Sequence, residues 1–567
     1  MNSSNGNTVS TTVSSGTTST SMNKSYSVFV RDYTLHILQT RLSRADLSNY
    51  ELVESMILEE LQYQIEQVNP ARPKGSKWKI MTTLLPSQIA DIICYTYSVV
   101  RIMSCGEHSD EAYDMLGIYQ EDGPNKGIYV TSEDEFRRLA RCYNYNIKIK
   151  ECDEVLFQLK MQAKRVMLTR EPNLIAVNNG IFNYDTKQLL PFDPSYVFTS
   201  KSKVNYNPNA TNVVIHNAED GSDWDVESWM NDLSDDPEIV NTLWEILGAI
   251  VRPNVKWDKS AWLYSETGNN GKGTLCELMR QLCGDGSYAS IPLSEMGKEF
   301  VLEPLTHATS IIVDENDVGT YIDKAANLKA IITGDVIQIN RKFKMPIAFR
   351  FCGFMVQCLN EMPRIKDKSD SFYRRQLFIP FDKCFTGKER KYIKHDYLHR
   401  PEVLEYVLYK VLNMNYYTLS EPAACLRALN DYKMYVDPIR QYLDEFIDNF
   451  VWDFVPNSFL YDLYKEWHKL NAGNERSMKG KNTFLKEVKT ILKKDYDDWD
   501  VADSPIRATT LINKEEPLIG DYDLVNWKNP QYKDRSTSQA CTPTVQCTKT
   551  YRGIYRIKAA QTVLNNP

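Results

Sequence analysis

The stretch Ala261 to Leu282, AWLYSETGNNGKGTLCELMRQL, constrains this chain more than any other. Ala261-Trp262-Leu263-Tyr264 is an apolar run of strand length, and Gly268-Asn269-Asn270-Gly271 cannot continue it, because these residues favour turns and positive φ. From Thr274, Leu275, Leu278, Met279 and Leu282 recur at helical spacing. Strand, glycine turn and helix meet at Gly271-Lys272-Gly273-Thr274. Backbone N–H groups at a helix start, with a lysine among them, make a phosphate site. The pattern departs from G-x-x-x-x-G-K-[ST]. Glu266 stands where the first glycine belongs and Gly273 takes the hydroxyl position, so Thr274 is the substitute ligand for a magnesium ion. The plain alternative is a glycine turn joining a strand to a helix.

Later segments supply the remaining parts of such a site. Thr309 to Val313 is a buried strand that ends in Asp314-Glu315. Asp314 at the strand end would hold magnesium, and Glu315 would polarise an attacking water. Phe354 to Leu359 is a third strand, ending at Asn360, whose amide would sit beside the γ-phosphate. Phe372-Tyr373-Arg374-Arg375 precedes the strand Gln376 to Pro380 and offers two arginines. An arginine reaching a neighbouring subunit's triphosphate would neutralise transition-state charge. Between these lies Val336 to Pro346, read as a β-hairpin with Arg341, Lys342 and Lys344 at its tip, where it could grip nucleic-acid phosphates. A solvated basic hairpin is the alternative.

With 567 residues the chain is too long for one core. Residues 1–24, rich in Ser, Thr, Asn and Gly, read as a disordered tail. Residues 25–170 read as a helical domain, 171–225 as a small β-rich domain with a hairpin turning at Asn-Gly, and 226–410 as the nucleotide-binding domain. Residues 411–448 read as a helical linker and 449–567 as a basic helix-turn-helix module with late strands. In that last module, seven cations against two carboxylates between Glu475 and Lys494 give a local +5 in a chain whose net charge is −7. Lys479 and Lys481 are its candidate DNA contacts, in the manner of a winged helix. Twelve scattered cysteines without a C-x-x-C pair point to reduced core thiols in a cytosolic protein and against a structural zinc site. No 18-residue apolar run and no signal core occur.

Taken in order, these motifs resemble the superfamily 3 helicases of the AAA+ class found, alone or with primases, in phages, satellite phages, poxviruses and phage-inducible islands. The resemblance runs from about Asn173 to Phe381: Walker A through Lys272-Gly273-Thr274, Walker B at Asp314-Glu315, a B-prime motif from Lys329 through Lys344, the sensor Asn360 with Pro363, and the finger Arg374-Arg375. It implies an α/β P-loop core, ATP and Mg²⁺, and a ring, expected to be a hexamer. That ring would move along one strand of duplex DNA in a bacterial host's cytoplasm, with Lys329 and the hairpin facing the strand. A primase module of this family would lie before residue 170. Archaeal-type primases need paired carboxylates on a strand. Asp225-Val226-Glu227 has the nearest spacing but precedes a helix. Two readings stay open beside the helicase: a primase–helicase, and an ATP-controlled DNA-binding initiator that does not hydrolyse.

Overall fold

The computed structural model describes residues 24–103, 110–322, 325–342, 344–472, 478–502, 504–507, 512, 514–531, 541 and 550–558. Residues 1–23 of the expected tail at 1–24 therefore lie outside the described residues, as do Phe343, the aromatic within the basic hairpin tip, and Arg476, one of the seven cations counted between Glu475 and Lys494. The chain divides into two compact units. One holds residues 1–320, 324–361 and 375–422; the other holds 321–323, 362–374 and 423–567.

The first unit begins with helices Tyr26–Thr40, Tyr50–Val68 and Pro86–Thr96, then Glu133–Tyr143 and Ile149–Gln162. Their inward faces share one core that includes Phe29, Ile57, Leu61, Ile93, Phe136 and Leu159. The segment is helical, as its periodicity predicts, but it also carries a four-stranded sheet of Val99–Met103, Met115–Tyr119, Tyr129–Val130 and Lys164–Met167. Strands of two to five residues are too short to show an alternation against helical neighbours.

Next come Leu174–Val177 and Gly180–Asn183, paired antiparallel with Val177 opposite Gly180. The hairpin stands where expected, but its two-residue turn is Asn178-Asn179, not Asn179-Gly180. Gly180 is instead a close-packing position: a Cβ there would meet the Leu190 carbonyl oxygen of the next strand, Gln188–Leu190, at 2.5 Å. The spacing of Trp229, Leu233, Ile239, Leu243, Ile246 and Leu247 reads as helical from Asp225 to Ile250, and the structure divides that stretch into two helices, Val226–Asp232 and Pro237–Val251. The break falls at Asp236, whose carboxylate accepts from the Glu238 N–H while Pro237 takes the first helical position.

The largest sheet among the described residues of this unit has five strands: β1 (Ser260–Tyr264), β2 (Tyr288–Ala289), β3 (Ser310–Val313), β6 (Phe354–Leu359) and β7 (Gln376–Pro380). All are parallel, in the order β2-β3-β6-β1-β7. The helix α1 (Lys272–Cys283) follows β1, and the antiparallel pair β4 (Val336–Arg341) and β5 (Lys344–Arg350) projects between β3 and β6 in sequence. Strands β1, β3 and β6 read as continuous apolar runs because both sheet faces are covered. From β1 the chain leaves toward β2 at one edge, and from β6 it leaves past β1 to β7 at the other. Adjacent strands whose outgoing connections part in this way leave a crevice beyond their carboxyl ends, where ligands of such sheets bind.

Arg252 ties the approach to β1 into this unit. It is fully buried at the end of the helix Pro237–Val251 and donates to the Tyr416 carbonyl at 2.9 Å. Its guanidinium lies 3.5 Å from the centre of the Tyr184 ring and about 5 Å from those of Trp257, Tyr416 and Tyr417. Aromatic faces replace the water that a buried cation would lose.

The second unit carries helices Ala423–Val436 and Pro438–Phe446, jointed at Asp437, then Asn457–Ala472 and Lys481–Asp495. A three-stranded antiparallel sheet in the order Phe454–Pro456, Gly553–Arg556, Trp499–Val501 closes the fold. Its core holds Tyr442, Phe454, Phe459, Tyr464, Phe484 and Ile554.

Arg252→Leu is expected to lower the free energy of unfolding by about 2 kcal/mol, the scale of a desolvated cation–π contact. Arg44→Leu, which removes an exposed ion pair with Glu121, should cost under about 1 kcal/mol. Urea titration of both variants checks the ordering; equal losses contradict the aromatic cage.

Candidate functional site

The carboxyl ends of β1, β3 and β6 converge. Strand register sets Tyr264 beside Leu359 and Val313 beside Gln357, so the residues that leave these strands emerge side by side. The Ser265 N–H donates to the Leu359 carbonyl at 3.1 Å, holding the start of the glycine loop against the end of β6.

The loop then turns sharply. Asn269 has φ 55° and Gly271, the residue before α1, has φ 87°. Both lie in the left-handed region, which asparagine and glycine tolerate best. Gly271 has a second reason to be glycine: a Cβ there would meet Leu233 at 2.6 Å. The Asn270 amide turns back to the Thr267 carbonyl, and its oxygen receives the Lys272 N–H at 3.4 Å. The loop is thus a preformed cradle that ends at a helix N-terminus.

Lys272 is the first residue of α1 and is buried. Its ammonium donates to the Asn360 side-chain oxygen at 3.1 Å and to the Ser265 carbonyl at 3.4 Å. Burial holds its pKa below the usual lysine value, against the opposing pull of Cys358, Cys276 and Asp314. Lys272 and Asn360 are 88 residues apart in sequence and in direct contact in space.

Asp314 lies against the same helix start. A Cβ built on Gly273 would sit 2.9 Å from Asp314 Oδ1, so glycine at 273 is what lets the carboxylate approach. A helix turns about 100° per residue, which puts the Thr274 side chain off the contact that Gly273 makes. Arg280 and Lys394 face Asp314 Oδ2 at 3.8 and 3.9 Å. Glu315 is exposed beside it. Sequence reasoning passed over Asn316, the residue that fixes this strand end. It is buried, donates to Gln357 Oε1 and the Cys358 carbonyl at 3.0 Å each, and accepts from the Leu293 N–H at 2.9 Å. The signal was present: a polar residue directly after a buried strand, with no charge of its own to keep in water.

A clasp after β7 was also missed. The Phe385 N–H donates to the Asn269 carbonyl at 2.7 Å, and the Asn269 amide donates to Thr386 and Glu389 at 3.2 Å each. The Cys384 thiol lies 3.7 Å from the Gly268 carbonyl. These residues follow the sheet by a few positions, and only the fold brings them over the loop.

Two thiols lie beneath the site. Cys276 on α1 and Cys358 on β6 are buried, with sulfurs 3.3 Å apart. The hydrogen bond to Cys276, together with burial, holds the Cys358 thiol well above its usual pKa.

The other candidates are distributed as follows. Arg341 and Lys342 sit at the turn of the β4–β5 pair, where Arg341 is opposite Lys344 and its guanidinium donates to the Met345 carbonyl at 3.0 Å. Lys329 lies on the preceding helix Ala325–Thr333. Arg375 immediately precedes β7, and its carbonyl accepts from the Ser260 N–H at 2.8 Å. That is the amino end of β1. The glycine loop leaves the carboxyl end five residues on, roughly 16 Å away at 3.3 Å per residue. Arg374 ends the short helix Asp370–Tyr373 in the second unit. There Asp370 pairs with Lys494, and Lys368 with Asp437 at 3.4 Å. Lys479 faces Glu487 at 3.6 Å, while Lys481 is exposed at the start of its helix.

Asp225 and Glu227 do not form a paired-carboxylate metal site. Asp225 caps its helix by accepting from the Ser228 N–H at 2.9 Å and takes the Asn212 amide. Glu227 receives Lys410 at 2.5 Å and the Tyr406 hydroxyl, and the Lys410 contact leads in holding its pKa low.

The fold and this site describe an α/β protein with a helical N-terminal region and a glycine loop with a helix N-terminus at the carboxyl edge of a parallel sheet. Three family models match separate stretches of the chain. Residues 74–235 match a family described as D5 N terminal like, residues 263–375 a family of unknown function, DUF5906, and residues 436–513 a family described as poxvirus D5 protein-like. The cradle, Asp314 and Asn360 all fall inside the middle match, between two D5-type segments. No curated protein matches the chain. Among solved structures, the A form apo structure of the NrS-1 C-terminal region is similar at 12% identity and a TM-score of 0.39. The match covers 83% of this chain and 100% of that one. A further apo structure of that region (residues 305–718) matches at 13% identity and a TM-score of 0.39, over 83% and 99%. Among the described residues, no helix is long and apolar enough to cross a membrane.

Removing the buried charge should stabilise the protein in the absence of ligand. Lys272→Met is expected to unfold at a higher temperature than the wild type near pH 8. A depressed lysine pKa means the folded state sheds its proton before the unfolded state does. Between the folded value and about 10.4 the unfolded state binds more protons, so wild-type stability rises with pH relative to the variant. Calorimetry from pH 8 to 10.5 should show the gap closing; a constant gap contradicts the assigned burial cost.

Proposed function

We propose that this chain is an ATP-driven DNA helicase of the D5 type that serves replication of a phage or related mobile element. One observation carries the reading. A left-handed Gly271 delivers Lys272 to Asn360 at 3.1 Å, while Gly273 admits Asp314 to the same helix start. Those are the parts a nucleoside triphosphate site requires, drawn from three strands. The D5-type matches on either side, over residues 74–235 and 436–513, favour replication as the setting.

In this reading the loop N–H groups from Gly268 to Thr274 hold the phosphates and Lys272 supplies charge to the outer ones. The residues fit a magnesium ion. Asp314 is a partly exposed carboxylate against the helix start, with Arg280 and Lys394 facing it at 3.8 and 3.9 Å, and Thr274 is the hydroxyl that the sequence pattern offers as a second ligand. Magnesium bound there would neutralise charge on the phosphate oxygens. Glu315, exposed at the strand end, takes the proton of the attacking water, and Asn360 holds Lys272 in place until phosphate replaces it. Asn316 fixes the strand end that presents both carboxylates.

Arg375 stands at the sheet end opposite its own glycine loop, which supports an arginine that acts on a neighbouring protomer. A ring, six-membered by resemblance, gives each site such a neighbour. The basic turn at Arg341, Lys342 and Lys344, with Lys329, grips the DNA strand in the ring. The helices and sheet of residues 449–567, with Lys479 and Lys481, form a winged-helix-like module for duplex DNA. The engaged state of Asp225 and Glu227 counts against polymerisation at that pair and so favours a helicase over a primase–helicase. An initiator that binds ATP without hydrolysing it would not need Glu315.

The test is DNA-stimulated ATP hydrolysis and unwinding of a forked duplex. Glu315→Gln should lower hydrolysis by about 100-fold while ATP still binds, as for loss of a general base. Lys342→Ala combined with Lys344→Ala should abolish unwinding and spare basal hydrolysis. Full hydrolysis in the first variant, or normal unwinding in the second, removes the assignment. Arg375→Ala subunits mixed with wild type should depress hydrolysis more than dilution alone; strict proportionality to the wild-type fraction contradicts a shared site.

A further inference from the structure

The pair of thiols under the glycine loop is not used by the hydrolysis just described, and its geometry suits another ligand. Cys276 lies four residues after Lys272 on α1, hence on the same helix face. Cys358 lies two residues before Asn360 on β6, hence on the same side of that strand. The two functional residues and the two cysteines therefore point into one place. Cys276 Sγ, Cys358 Sγ and a carboxylate oxygen of Asp314 all lie within 4.8 Å of one another.

We propose that Cys276, Cys358 and Asp314 form a site for a soft divalent cation such as Zn²⁺, overlapping the magnesium position at Asp314. Zinc takes sulfur at about 2.3 Å and carboxylate oxygen at about 2.0–2.2 Å in tetrahedral array. Two sulfurs so placed stand roughly 3.8 Å apart, so the observed 3.3 Å needs only a small widening. Both thiols lose their protons to solvent as two zinc–sulfur bonds form. The charges then balance: two thiolates and one carboxylate against the cation and the Lys272 ammonium. Water or a phosphate oxygen completes the fourth position. Magnesium, which requires oxygen ligands, gains nothing from the sulfurs, so the site discriminates by softness. A zinc ion there withholds Asp314 from magnesium, and the protein becomes a nucleotide enzyme that soft metals switch off. This last consequence rests on the ATP reading above; the metal site does not.

The probe is Co²⁺ added to the full-length reduced protein, followed by absorption. The expected result is a thiolate-to-cobalt charge-transfer band that saturates at one equivalent and is bleached by Zn²⁺. It should persist in Cys142→Ser, which alters a partly buried thiol on the helix Glu133–Tyr143, away from the site. It should vanish in Cys276→Ser combined with Cys358→Ser. Because that pair is buried and the double variant can fail to fold, Asp314→Asn is the second variant; it should weaken cobalt binding by at least about tenfold. No band, an unchanged band in the double variant, or cobalt affinity indifferent to Asp314→Asn overturns the proposal. Binding of ATP with Mg²⁺, measured in the same preparations, separates the claims. A band without nucleotide binding sinks only the functional reading, and nucleotide binding without a band sinks only the metal site.

Discussion

A lysine ammonium is sunk at the end of a parallel sheet, and the surrounding structure is arranged to make that tolerable. Lys272 has two oxygen partners, Asn360 and the Ser265 carbonyl, and both come from strand ends that the sheet fixes in register. Burying a charge is costly unless it is paired or hydrogen-bonded. Here the direct hydrogen-bond partners are neutral groups, and the Asp314 carboxylate acts on the ammonium from farther off. The positive φ at Gly271, the missing side chain at Gly273 and the buried amide of Asn316 each serve the placement of that one cation and the carboxylate beside it.

The order of strands explains why the parts are scattered in sequence. β6, which ends in Asn360, inserts between the strand of the glycine loop and the strand of Asp314. A residue numbered late in the chain thus becomes the immediate neighbour of Lys272. Because β7 runs parallel to β1 and Arg375 precedes it, Arg375 stands at the sheet end away from its own loop, so a role for it in hydrolysis would require another copy of the chain.

Much of this was legible in the residues. Glycines and asparagines between an apolar run and a helical stripe announced the cradle, and apolar runs that ended in Asp314-Glu315 and Asn360 announced two more strand ends. Such signals are local, and the buried strands are long enough to carry them. What was not legible depended on contacts across the fold. The clasp of Phe385, Thr386 and Glu389 has no motif, because its partners are backbone groups. The four-stranded sheet near residue 100 is built of very short strands. The break at Asp236 was hidden because the apolar face continues through it, although Asp-Pro is itself a helix-start signal. The cysteines looked scattered because spacing along the chain says nothing of two elements that pack face to face.

The central claim is that the loop from Gly268 to Thr274, Asp314 and Asn360 hold one triphosphate. A structure determined with Mg²⁺ and a non-hydrolysable ATP analogue tests it most directly. The account predicts phosphate oxygens on the loop N–H groups, with the Lys272 ammonium moved from Asn360 onto them and the metal against Asp314. A nucleotide found elsewhere, or a loop left empty at saturating analogue with Lys272 still on Asn360, would contradict it.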